Sequence, residues 1–338
     1  MIRKLTLALM LSGSVLAAQA PAFAQTAAPV SKLVEAVNIP HEKFTLDNGL
    51  TVLVHEDRKA PIVAVSIWYG VGSKNEPKGK TGYAHLFEHI MFNGSENAPG
   101  DYFEYTKKIG ATDLNGTTWL DRTNYYENLP SDHLELAVQL EADRMRNLWL
   151  REDDRRPEMT VVRNEMEDGE NSPFGILMER VQSTAYLWHN YGKSTIGNRS
   201  DIERVPVENL RAFYRRYYQP DNAVLLVAGK FEAASTLALI QQVFGVIPKP
   251  NRVIEPTYTQ DPSQDGTREV TVRRTGDVQL TAVLYHTAAG SHVDSAAMAA
   301  LSALISCLWS RLLLEKDTQK GIGWDLSTPF GTTGATLR

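Results

Sequence analysis

The sequence predicts a fold of mixed strands and helices, on three observations. Strand-patterned and helix-patterned segments both occur along it. An Asn-Gly turn sits between alternating apolar runs near the start. A strand, strand, helix order occurring early in the chain returns near its end, as expected of an internal duplication. At 338 residues, with 43% hydrophobic and 22% charged residues, the chain is long enough for two ordinary domains. Its formal net charge is −5, without a basic run, which argues against nucleic acid as the main partner.

The N-terminus reads as an export signal. Arg3 and Lys4 precede a largely apolar run from Leu5 to Ala18, and Ala22-Phe23-Ala24 supplies a small-x-small cleavage pattern. Cleavage after Ala24 is the expectation, and it takes the net charge from −5 to −7, because Arg3 and Lys4 are the only charged residues removed. The alternative is a retained N-terminal anchor, although the run is short for a membrane span. No later segment approaches 18 unbroken apolar residues. These features predict an exported protein, periplasmic or extracellular, with no membrane span after signal removal. Residues 25–39 read as an N-terminal tail.

Next comes a hairpin. Phe44-Thr45-Leu46 and Leu50 to Val54 flank Asp47-Asn48-Gly49, and Asn-Gly supplies the positive φ angles of a tight turn. Ile62 to Tyr69 is apolar enough for a central strand. A Gly- and Lys-rich loop, Gly72 to Gly82, leads into a helix ended by Asn93-Gly94. A short helix spans Asp101 to Ile109, and strands are expected over Asp113 to Thr118 and Thr123 to Leu129. Asn115-Gly116 falls inside the first of these. It reads either as an ordinary turn or as a bulged edge strand that a peptide could join through main-chain hydrogen bonds.

From Ser131, a candidate N-cap, the pattern becomes helical as far as Trp149. Pro157 suits the first turn of another helix, from about Arg156 to Gly169. Pro248 to Gly266, with its prolines, reads as a linker. After it, Val270 to Arg273, Val278 to Tyr285 and Asp294 to Ser306 repeat the earlier strand, strand, helix order. Cys307 is the single cysteine, so no internal disulfide can form; a buried, inert thiol is its simplest reading. A metal must then be held by nitrogen and oxygen ligands, which suits zinc.

The chemistry concentrates in His85-Leu86-Phe87-Glu88-His89. Four residues apart on a helix, His85 and His89 project from one face with Glu88 beside them, while Leu86, Phe87, Ile90, Met91 and Phe92 hold that helix in a core. In an H-x-x-E-H arrangement the histidines are metal ligands and the glutamate takes a proton from water. Catalytic zinc needs a third protein ligand. The acidic set Glu158, Glu165, Glu167 and Glu170 is the place to look, and a solvated helix face is the ordinary alternative for each of its members.

These residues resemble the pitrilysin/insulinase family of zinc peptidases. The resemblance rests on the H-L-F-E-H motif with its Y-A-H and M-F-N-G-S flanks, and on Glu158-Met159-Thr160-Val161-Val162-Arg163-Asn164-Glu165. It continues through Asn171-Ser172-Pro173, Ile196-Gly197 and Phe213 to Ala223. It implies one zinc ion per chain held by His85, His89 and Glu165, with Glu88 as general base and Glu158 as a supporting acidic residue. It further implies an α+β fold, a two-layer sandwich of a mostly antiparallel sheet packed on helices, duplicated, with the second copy incomplete. Peptides or unfolded proteins are the implied substrates, bound as an added strand along Asn115, Gly116 and Thr117.

The resulting domain expectation is a signal peptide over 1–24, a tail over 25–39, a zinc-peptidase domain over 40–247, a linker over 248–266 and a partial second domain over 267–338 without the zinc motif. Family members carry a substrate-holding arginine and tyrosine opposite the zinc. This chain has Trp324 in the region resembling the tyrosine, and no arginine at the matching distance. The chain thus resembles the N-terminal half of a long member. Two functional readings follow: an exported zinc endopeptidase, or a catalytically silent or truncated subunit that binds peptides or needs a partner half to close the chamber. Leu312, Leu313 and Leu314, if exposed, would favour such a partner.

Overall fold

The structure is a computed structural model describing residues 39–257, 259–276, 279–316 and 335–337, with the backbone alone for 306–316 and 335–337. The expected signal peptide, nearly all of the tail, Trp324 and the side chains of Cys307 and Leu312 to Leu314 lie outside the described residues. Met1–Pro40 and His41–Arg338 are separate units, and the architecture below is that of the second.

Six strands form one sheet: β1 (Glu42–Thr45), β2 (Thr51–Glu56), β3 (Ile62–Tyr69), β4 (Thr112–Thr118), β5 (Thr123–Pro130) and β6 (Ala223–Gly229), in the order β1-β2-β6-β3-β5-β4. Every pairing is antiparallel except β2 with β6. The β1–β2 hairpin closes on the Asp47-Asn48-Gly49 turn, where Gly49 takes a φ of 96°. Asn48 then anchors the turn, donating from its side chain to the carbonyls of Phe244 (2.8 Å) and Ile247 (3.0 Å). β3 is central, as its apolar run predicts.

The helices are α1 (Tyr83–Ile90), α2 (Tyr102–Lys108), α3 (Leu134–Asn147), α4 (Glu152–Asn171), α5 (Pro173–Ala185), α6 (Arg199–Glu203), α7 (Val207–Tyr217), α8 (Ala233–Phe244) and α9 (Ser295–Lys316). Alternation sends Val63, Val65, Ile67 and Tyr69 of β3 to one side of the sheet. There they join Val52, Val54, Tyr125, Leu225 and Val227 in a core shared with Leu86, Phe87 and Ile90 of α1. The chain is therefore a layer of helices on a mostly antiparallel sheet.

Four local expectations change. Ser131 does not cap a helix; it opens a single 3-10 turn, Ser131–His133, and α3 begins at Leu134. α4 begins four residues earlier than predicted, at Glu152, because Glu152, Asp153 and Asp154 favour a helix N-terminus and the Asp154 carboxylate accepts from the Arg151 amide at 3.0 Å. Pro157 consequently lies inside the helix. β6, which enters the sheet between β2 and β3, has no counterpart in the sequence expectation. In the C-terminal segment no strand forms over 270–273; β7 (Leu284–His286) pairs instead with β8 (Ala335–Leu337). A strand-patterned segment needs a neighbouring ladder, and 270–273 has none among the described residues.

The 248–266 segment is fastened to the first sheet's helices. Asp261 accepts from the amides of Leu187 (2.7 Å) and Trp188 (2.9 Å) just beyond α5, and Arg268 Nη1 donates to the carbonyl of Ala185 at 2.9 Å.

A buried charge cluster packs beside α1. Arg144 of α3, 2% exposed, donates through Nε to Glu141 at 2.8 Å and lies over the rings of Tyr102 and Tyr125, 4.4 Å from each centroid. Glu127 of β5 accepts from Tyr102 Oη at 3.2 Å. Glu141 thus takes the guanidinium directly, while Glu127 feels it only through space. Burial, then the charge of Glu141, pushes the Glu127 carboxyl up to about 7, against the opposing pull of Arg144. Because that value exceeds the ordinary 4.5, the folded state holds the proton more tightly. The stabilisation is complete below the unfolded value and is lost as pH rises through about 7. Chemical denaturation from pH 5 to 8 should accordingly show falling stability with a Glu127 component of at most roughly 3 kcal/mol, and Glu127→Gln should remove that component.

Candidate metal centre

The site begins with a helix of only eight residues, α1, too short to persist on packing-free propensity. Three features hold it. Phe87 stacks within an aromatic group from α7 and its end, 5.0 Å from the Tyr218 ring and 5.6 Å from the Phe213 ring. Tyr125 Oη donates to the Phe87 carbonyl at 3.2 Å. At the N-terminus, the fully buried Glu76 carboxylate accepts from the amides of Gly82 and Ala84, each at 2.8 Å. A carboxylate there meets both the unpaired amides and the positive end of the helix dipole. Gly82 enters the helix with φ of 86°, and its Cα lies against Gly197: a Cβ added at Gly197 would sit 2.4 Å from it.

With its apolar face so fixed, α1 turns His85 and His89 toward α4. His85 Nε2 and His89 Nε2 each lie 3.5 Å from Glu165 Oε2. These three residues are the group among the described residues whose ligand atoms all fall within 4.8 Å of one another. Donors about 2.1 Å from a tetrahedral ion lie about 3.4 Å apart, so the two nitrogen–oxygen separations fit a four-coordinate zinc. The donor set, two imidazoles and one carboxylate, fits zinc equally well. Glu88 Oε2 adds to the fit: it is buried in the same place without a hydrogen-bond partner.

The surrounding electrostatics prepare the donors. Burial and the neighbouring His89 hold His85 down at about 4, so its imidazole is neutral at pH 7 and its lone pair is available. Burial would lower His89 as well, but Glu158, Glu165 and Glu88 outweigh it and raise the value. Glu158 Oε2 stands 3.5 Å from His89 Nδ1, the nitrogen facing away from Glu165, where it can orient the ring. Burial raises the Glu88 carboxyl, offset in part by a hydrogen bond from Thr118.

Glu88 lies directly beneath β4. A Cβ on Gly116 would come 2.9 Å from Glu88 Cγ, so this glycine marks a side chain passing close to the strand. The bulge is farther upstream: the register with β5 shifts between Thr112 and Asn115, and Asp113 adopts a positive φ of 51°. β4 is one of the two outer strands of the sheet, and Asn115, Gly116 and Thr117 lie on it, with Gly116 against Glu88.

The structure thus brings together His85, His89, Glu165 and Glu158, with Glu88 between the histidines and Gly116 against it. Glu167 and Glu170 of the acidic set stay outside, paired with Arg199 on the surface. Sequence reading missed Glu76, Thr118 and the Gly82–Gly197 approach. Only the glycine before the histidine motif offered a local signal, since caps and crossings supplied from distant loops leave no periodic pattern.

Two family models match the chain, Insulinase (Peptidase family M16) over residues 51–199 and Peptidase M16 inactive domain over 204–331. The crystal structure of a protease from Helicobacter pylori superposes with a TM-score of 0.80 at 30% identity, covering 88% of this chain and 74% of that one. The chain belongs to peptidase family M16. Among curated M16 relatives, the zinc protease PqqE of Helicobacter pylori is 35% identical over 270 residues, 78% of this chain and 61% of the relative. This M16 chain therefore spans about three-fifths of that relative's length. The first half of the periplasmic protease PqqL from Escherichia coli shares the fold, with a TM-score of 0.66 at 19% identity over 88% of this chain and 67% of that one. The inactive-domain match begins at residue 204, ahead of α7, so it takes in α7, β6 and α8, which pack in or on the metal-bearing sheet.

Zinc titration should yield one ion per chain. At free zinc about 100-fold above Kd, binding should stabilise the chain by about 2.7 kcal/mol, read as a rise in melting temperature. His85→Ala should abolish the rise and Glu165→Gln should reduce it; an undiminished shift in both variants would place the ion elsewhere.

Proposed function

We propose that this M16 chain is the zinc-bearing part of an exported endopeptidase that hydrolyses peptides or unfolded proteins. One observation carries the reading: His85 Nε2 and His89 Nε2 meet Glu165 Oε2 at 3.5 Å with the buried Glu88 carboxylate alongside. His85, His89 and Glu165 would hold the zinc ion, which when bound supplies Lewis acidity to a carbonyl and to water.

The chain's own residues do the rest. Glu88, on the helix turn between the two histidines, is placed to take a proton from the attacking water on a carboxylate oxygen and to give it to the departing amine nitrogen. Its raised pKa suits both halves of that exchange. Thr118 opposes the burial that raises the Glu88 carboxyl, and Glu158 Oε2 stands 3.5 Å from His89 Nδ1, where it can orient the ring. The outer edge of β4 at Asn115, Gly116 and Thr117 offers main-chain groups to an extended peptide, which would lie across Glu88.

The working division places the zinc-peptidase domain at 40–247, the linker at 248–266 and a partial second domain at 267–338. Export rests on the N-terminal signal pattern. No helix among the described residues is long and apolar enough to cross a membrane.

The second reading is a catalytically silent or truncated subunit that binds peptides or needs a partner half to form the closed chamber. Chelator-sensitive cleavage of an unstructured peptide by the chain alone separates the two. Glu88→Gln should keep one zinc per chain and lose at least about 100-fold in cleavage rate. Full activity in that variant would remove Glu88 from the mechanism, while zinc uptake without cleavage by the wild type would favour the partner-dependent reading.

A further inference from the structure

The β4–β5 hairpin has two chemically different faces. Thr118, Thr123 and Tyr125 point toward α1: Thr123 Oγ1 donates to the Val71 carbonyl at 2.9 Å, and Tyr125 reaches the Phe87 carbonyl. Thr117 and Asn124 point the other way, joined by a 2.6 Å bond from Thr117 Oγ1 to Asn124 Oδ1. Trp68 of β3 shares that open face, 41% exposed between the buried Ile67 and Tyr69, with its Nε1 held by Ser66 Oγ at 3.0 Å.

Arg122, beside the hairpin turn, lies on this open face. Its Nη1 donates to the Thr117 carbonyl at 3.1 Å, to Thr117 Oγ1 and to Asn124 Oδ1, so the guanidinium reaches across to the edge strand. Its Cζ sits 5.1 Å from the centre of the Trp68 ring. A fixed guanidinium against an aromatic face is preorganised to receive a planar carboxylate. Among the described residues no carboxylate stands within ion-pair distance of Arg122. Glu88, across the strand, acts on it through space only. The adjacent Asp121 faces elsewhere, holding Lys74 Nζ at 2.6 Å and Tyr191 Oη. Arg122 is thus a partly buried, anchored cation beside the edge of the sheet.

We propose that Arg122 is a specificity-determining residue that receives a carboxylate side chain of the bound peptide, giving the site a preference for substrates with Asp or Glu. The inference rests on the peptidase reading above. A peptide added beside β4 lies about 4.8 Å from it and alternates its side chains between the two faces. Side chains on the α1 face meet Glu88 and the metal group. Those on the open face pass the Arg122 guanidinium where it overlies Thr117. The preferred acidic positions should therefore alternate along the peptide, spaced by two residues, on the face away from the metal group.

Binding tests the inference independently of hydrolysis. Fluorescent peptides of one extended backbone, with Glu, Gln or Lys at alternate positions, are titrated against the full chain carrying Glu88→Gln and loaded with zinc. The Glu peptide should bind roughly fivefold more tightly than the Gln peptide at low salt, a gain that weakens as salt rises. Adding Arg122→Gln should erase the difference, Arg122→Glu should favour the Lys peptide, and Arg122→Lys should retain part of the Glu preference, with melting temperatures compared to exclude unfolding. Equal affinity for all three peptides, or an unchanged Glu preference in Arg122→Gln, would overturn the proposal. Charge-dependent binding alongside a wild-type chain that cleaves nothing would leave recognition standing and defeat the hydrolytic reading alone.

Discussion

The metal group depends on how one short helix is held. α1 carries both histidines and the candidate base, yet eight residues close too few hydrogen bonds to sustain a helix in water. Its orientation comes from outside: the Phe213, Tyr214 and Tyr218 rings stack along Phe87, Tyr125 bonds its backbone, and Glu76 closes its amino end. Each support restricts the rotation of the helix about its axis. A rotation of one residue, about 100°, would carry the imidazoles away from α4 altogether.

That constraint also explains the distribution of charge. Glu76, Glu127, Glu141 and Arg144 are all buried, which is costly unless each charge is met. Glu76 is met by helix amides, and Glu141 by the Arg144 guanidinium, whose flat surface packs on Tyr102 and Tyr125. Tyr125 then links the two groups, since the same ring that lies under Arg144 donates to α1. The polar core and the metal group are parts of one packed arrangement.

The β4–β5 hairpin connects chemistry with recognition. Its inner face passes close over Glu88 at Gly116, its outer face holds Arg122 through Thr117, and Gly116 and Thr117 both belong to an edge strand of the sheet. A bulge at Asp113, bonded through its carboxylate to Asn128 at 2.9 Å, distorts the upstream end of that edge. Bulges discourage unwanted strand pairing. The stretch left regular, Asn115 to Thr118, is the one beside the histidines.

Local sequence determined what depends on near neighbours. The Asn-Gly turn, the apolar run of β3, the one-faced spacing of His85 and His89, and the seven-residue spacing of Glu158 and Glu165 each follow from a fixed helical or strand period. The family resemblance selected Glu165 from four acidic candidates, a choice that periodicity alone left open. Tertiary structure decided the rest. It inserted β6 between β2 and β3, began α4 at the acidic Glu152 turn, and left 270–273 without a strand partner. It also chose Glu76 as the cap of α1 and laid Arg122 across Thr117. The physical reason is common to all of these. A period is a property of consecutive residues, whereas a cap, a strand neighbour or an unpaired buried charge is defined by groups far away along the chain, whose positions exist only once the core has closed.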